Sequence, residues 1–150
     1  MAISMSAAIT QIAALVRGVN GIKHVYDEAS NDINRLPGAI NEFPAVMVFA
    51  GPTLAYDFSN GQQRHTYEIK VQLYEGGPDL GERAAGVVGF VDQIITLMAV
   101  NATLGGRVNY CEFRRQSGLA GLPLGAIEYT GTEVVLEVSE QGSQIPATGA

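Results

Sequence analysis

The chain has 150 residues, 47% of them hydrophobic and 16% charged, which suits one globular domain and excludes wholesale disorder. Its net charge is −6, and of its scattered Lys and Arg only Arg114 and Arg115 are adjacent. A protein that grips nucleic acid by its phosphates needs a basic footprint, and this chain has none.

The N-terminal stretch lacks the basic leader of a signal peptide, since Arg17 follows its apolar residues. No apolar run reads as approaching the ~20 residues of a membrane-spanning helix. Residues 5–17 predict a short helix: Ile9, Ile12, Ala13 and Val16 fall at i, i+3, i+4 and i+7. Ser4 or Ser6 can cap its start, and Gly18 stands at its end. Ile22–Asp27 reads as a short extended piece. Residues 28–44, with Asn31, Asp32, Asn34, Pro37, Gly38, Asn41 and Pro44, show no period and read as a long loop.

Ala45–Ala50 is a continuous apolar run that suits a buried strand, Gly51-Pro52 interrupts it, and Thr53–Ser59 resumes as extended chain. Asn60-Gly61 is a hairpin signal, because a type I′ turn needs positive φ at both central positions. The clearest strand follows at Arg64–Glu75. His65, Tyr67, Ile69, Val71 and Leu73 share one face, with Thr66, Glu68, Lys70 and Gln72 on the other.

Gly76-Gly77-Pro78 ends that strand, and Asp79 with Glu82 forms a capping-box-like start to a helix running to about Ala99. Its expected core stripe is Leu80, Ala84, Val87, Val88, Val91, Ile94, Ile95 and Met98. Thr103-Leu104-Gly105-Gly106 is a turn, Arg107–Arg115 a strand, and residues 116–123 a loop. Leu124–Val138 is a last strand whose apolar parity changes from Ile127 and Tyr129 to Val134, Leu136 and Val138, which suggests a bulge at Gly131. The fold class is therefore α+β: a mostly antiparallel sheet with a long helix (about 79–99) and a short N-terminal helix packed on it. Residues 1–138 form the domain, and 139–150 read as a flexible tail.

Chemistry-bearing residues are sparse. Cys111 is the only cysteine, so no intrachain disulfide can form. It sits mid-strand and reads as a small core residue. His24 and His65 are far apart in sequence, no G-x-S-x-G occurs, and a catalytic serine would lack a recognisable base. No C-x-x-C or H-E-x-x-H is present, and Asp27, Glu28 and Asp32 do not have the spacing of a calcium loop. No catalytic residue, metal ligand or cofactor is expected.

One arrangement is more specific. The alternating strand HTYEIKVQLYE leads to the helix PDLGERAAGVVGFVDQIITLMAV, then the turn NATLGG and the last strand GAIEYTGTEVVLEV. Over residues 5–138 this resembles the tail-terminator and tail-completion (neck) proteins of long-tailed bacteriophages. The resemblance implies a non-enzymatic virion protein, made in the host cytoplasm, that forms a homo-hexameric ring. The ring would cap the tail tube, meet the head connector or head-closure protein, and let DNA pass without specific binding or any membrane partner. Two patches are expected to join subunits: residues 28–44 with Ile33, Leu36, Ile40 and Phe43, and the hairpin 52–63 with Leu54, Tyr56 and Phe58. Arg114 and Arg115 are expected on opposite faces of their strand, one of them paired with a neighbouring subunit's carboxylate. A head-closure or tail-tube subunit is the near alternative. A small enzyme or ligand-binding domain centred on His65 or Cys111 is the distant one.

Overall fold

The strongest alternation in the sequence becomes the middle of the sheet. The computed structural model describes residues 4–19, 21–27, 43–59, 61–76, 80–124 and 127–143. In chain order these form α1 (Met5–Arg17), β1 (His24–Asp27), β2 (Ala45–Ser59), β3 (Gln62–Glu75), α2 (Leu80–Val100), β4 (Tyr110–Gln116), β5 (Ala120–Leu124) and β6 (Ile127–Ser143). The sheet order is β1-β2-β3-β6-β4, with β5 also paired to β6. Among the described residues only β1 and β2 run parallel; every other pairing is antiparallel.

Tyr67, Ile69, Val71 and Leu73 of β3 are fully buried and stand opposite Val138, Leu136, Val134 and Thr132 of β6. Helix α1 lies over β1 and β2, and α2 over β3, β6 and β4. The Ser4 hydroxyl accepts the Ala7 N–H at 3.1 Å and caps α1, which buries Ala8, Ile9, Ile12, Ala13 and Val16. Gly18 closes that helix at φ −81°, without the left-handed turn a C-terminal glycine often supplies.

Helix α2 departs from its expected stripe. It buries Val87, Phe90, Val91, Ile94 and Met98, whereas Val88 and Ile95 are 62% and 44% exposed. Each fully buried side chain of this size contributes about 1.5–3 kcal/mol. The expectation that no stretch is long and apolar enough to span a bilayer also needs correction, because Gly81–Val100 meets both criteria. It packs on the sheet by one side, and 28% of the span is buried inside the molecule. It is apolar on two sides because its outer side is apolar as well.

The strands differ from expectation in several places; β4, for one, begins at Tyr110 and not at Arg107. Gly51-Pro52 does not break β2, which continues through register shifts between Ala50 and Thr53 and between Thr53 and Ala55. Residues 120–123, expected in a loop, form β5 together with Leu124, expected to begin the last strand. β6 continues to Ser143, so residues 139–143 pair with β3 and do not belong to a tail. Finally, β6 has no register shift at Gly131 against β3. Its parity changes because it contributes to two cores. Val134, Leu136 and Val138 face the helices, while Tyr129 packs on the other face beside a small cluster of Ala45, Met47, Tyr74 and Leu122. Gly131 is needed there because a Cβ would lie 1.7 Å from the Leu73 carbonyl oxygen.

Candidate assembly surfaces

Three surfaces follow from this architecture. The first is an arm. Among the described residues β1 pairs with β2 as far as Val48, and β2 runs on to Ser59 beside β3, with the end of β6 on β3's other side. Tyr56 stands opposite His65 and Phe58 opposite Gln63, which continues the side of the sheet that carries Tyr67 and Ile69. That side is covered by helices over the body of the sheet. At the arm Leu54, Tyr56 and Phe58 are 48%, 57% and 58% exposed. The Tyr56 hydroxyl donates to Gln63, His65 Nε2 lies 2.8 Å from Thr53 Oγ1, and the His65 ring sits 4.8 Å from that of Tyr67. Gly61 at the tip has φ +76°, the left-handed conformation expected of a tight hairpin.

The second surface is the sheet face away from the helices. Glu68, Glu137 and Glu112 form a cross-strand row over β3, β6 and β4. Like charges at such spacing repel, and Glu68 and Glu137 are both buried. The register shift between Phe113 and Arg115 brings both arginines onto this one face. Arg115 donates to both Glu68 oxygens at 3.0 and 3.3 Å, and Arg114 reaches Glu137 at 2.8 Å. The expectation of opposite faces is therefore corrected: a bulge puts both arginines on one face, each paired with a carboxylate of its own chain. The Tyr110 hydroxyl also donates to Glu137, at 2.6 Å. That bond foremost, then Arg114 against the opposing effect of burial, holds Glu137 below the usual carboxylate range. Lys70 and Gln72 extend the network to Glu133.

The third surface is the outer side of α2, where Ala85, Val88, Asp92, Ile95 and Ala99 recur at spacings of three and four and are all exposed. Sequence reasoning read Val88 and Ile95 as core because the helix is apolar on nearly every side, so periodicity could not choose the buried one.

Of the expected patch in 28–44, Ile33, Leu36 and Ile40 lie outside the described residues. Phe43 is turned inward: its ring is 6.0 Å from Tyr129 and fills the space beside Gly76. The groups weighed for chemistry are dispersed. His24 is exposed against Tyr26, and His65 is on the arm. Cys111 is buried beside the Met98 sulfur, and burial pushes its thiol up to about 12. Buried Glu140 accepts from the Tyr67 hydroxyl at 2.7 Å and lies near the Ser4 N–H and Arg107. Burial foremost, then that hydrogen bond, raises the Tyr67 hydroxyl far above its ordinary range. No cluster of three or more potential metal-ligating side chains occurs among the described residues.

The molecule is thus an α+β domain with a helix-covered face, an ion-paired face and a projecting apolar arm. Compared with protein-family models and with curated proteins, the chain finds no match.

Proposed function

We propose that this protein is a structural subunit of a closed ring in the neck of a long-tailed bacteriophage, acting as a tail terminator. The observation that carries this reading is the arm. Leu54, Tyr56 and Phe58 form a projecting apolar surface that a lone subunit leaves in water. Exposed apolar groups clustered on one projection are typical of interaction sites. The remaining support is the order of strands and helices in the sequence, which resembles that family. Six copies would enclose a lumen for DNA, cap the tail tube on one side and meet the head connector or head-closure protein on the other.

The test is electron microscopy of particles that contain this chain. A closed ring at the junction of tube and connector is expected. An isolated monomer or dimer in the particle overturns the reading, and a ring located within the tube or the connector reassigns the subunit to that part.

A further inference from the structure

We propose that the arm of one copy docks on the outer side of α2 of the next, so that the neighbour's helix extends the helix layer over the bare end of the sheet. This inference rests on the ring reading above and names its interface.

Seven large hydrophobic residues are exposed among the described residues. Three, Leu54, Tyr56 and Phe58, are on the arm, and three, Val88, Ile95 and Val100, are on α2. A closed ring of more than two copies needs two different patches per subunit, each complementary to the other. The arm projects, whereas the α2 stripe flanks Val88, Asp92 and Ile95 with the small Ala85 and Ala99 and borders a groove of about 350 Å³ between the end of α1 and α2. Asp92 and Thr96 are on the groove's wall, with Val19 and Leu97 supplying its apolar lining. An aromatic ring from the arm fits such a groove, the geometry of a buried anchor in an interface.

Charge chooses between the possible occupants. Asp92 is at the centre of the stripe, so two α2 helices meeting about a two-fold axis would bring two Asp92 carboxylates together. The arm's apolar side carries no exposed carboxylate. The titratable groups there include His65 and, opposite it on β6, Glu140, which is 2% exposed and held by the Tyr67 hydroxyl and Arg107, while Asp57 and Arg64 form the adjacent cross-strand pair on the opposite side. The arm therefore brings the polar ring of His65 and no exposed like charge to Asp92. The orientation agrees as well. Tyr56 and Phe58 continue the same face of the sheet that α2 covers within its own chain, so the neighbour's helix would repeat a helix-on-sheet contact the fold already uses.

The experiment places the photo-reactive p-benzoyl-phenylalanine at position 58 of the full-length protein, mixes isotopically heavy and light copies, irradiates, and maps the cross-linked peptides by mass spectrometry. Cross-links between heavy and light copies that fall within residues 80–100 are expected. Asp92→Arg and Val88→Asp variants that retain the parent's circular dichroism should lower their yield by about tenfold. Cross-links to another arm, to another surface, or none between copies overturn the proposal. Native mass spectrometry of the unmodified protein separates this inference from the ring reading. A closed ring with cross-links elsewhere defeats the contact alone. Cross-links to α2 in an assembly that does not close defeat the ring alone.

Discussion

Glu68 and Glu137 stand directly opposite one another on adjacent strands, and consecutive arginines neutralise them, one each. The bulge in β4 makes this possible, because in an unbroken strand Arg114 and Arg115 would point to opposite faces. The pairing neutralises the two buried carboxylates of this row.

The Arg115–Glu68 pair is unequal, with side chains 61% and 7% exposed. Removing the arginine leaves a buried carboxylate without its cation, although water already screens the exposed partner. We expect Arg115→Ala to cost about 1–2 kcal/mol. Adding Glu68→Gln should recover part of that loss, because it removes the unpaired charge. Urea denaturation measures both, and a fully stable Arg115→Ala protein would show that the pair contributes nothing.

Glu137 supplies the pH dependence. Its folded value lies below the ordinary 4.5, so its stabilisation is complete above that value and is lost as pH falls through the folded one. Tyr110→Phe removes the largest cause of the depression. In a carboxylate-resolved NMR titration the Glu137 midpoint should move upward, and the acid limb of the stability curve should move with it. An unchanged midpoint would mean that Arg114 alone sets it.

Two valines three residues apart test the orientation of α2. Val91 is 5% exposed and Val88 is 62% exposed. Val91→Asp puts an unpaired charge in the core and should unfold the domain, a loss of at least about 4 kcal/mol. Val88→Asp should fold with a change of about 0.5 kcal/mol or less. Circular dichroism melts distinguish them, and equal damage from both would mean the helix is rotated from the position described.

Gly131→Ala tests the close approach of β6 to β3. The added Cβ would meet the Leu73 carbonyl, which is backbone and cannot rotate aside. A loss of about 3 kcal/mol or more is expected by chemical denaturation. A neutral substitution would show that the two strands are further apart there.

Both adjacent arginines are engaged by carboxylates of their own chain, and the subunit carries a net charge of −6. The purified protein should therefore show no salt-dependent affinity for duplex DNA in a gel shift at physiological salt. Tight binding that is lost in the Arg114→Ala, Arg115→Ala double variant would instead assign those side chains a DNA-gripping role.

Local rules determined much of this molecule. The alternation of Tyr67, Ile69, Val71 and Leu73 specified the central strand, the Ser4 cap and its apolar stripe specified α1, and the turn residue Gly61 marked the hairpin. Each needs only neighbours within a few residues, because pleat, helical turn and hairpin twist are short-range properties. The exposed arm residues Leu54, Tyr56 and Phe58 were legible for the same reason, as apolar positions beside a tight turn. Only the tertiary structure decided which of the apolar sides of α2 is buried, because that depends on where the sheet lies. It also decided the change of parity in β6, since a strand contributing to cores on both faces looks in sequence like a bulged one. The pairing of Arg114 and Arg115 with Glu137 and Glu68 belongs to this second group. Those carboxylates are distant in sequence, and strand register alone brings them within reach of a bulge that the sequence around Phe113 does not announce.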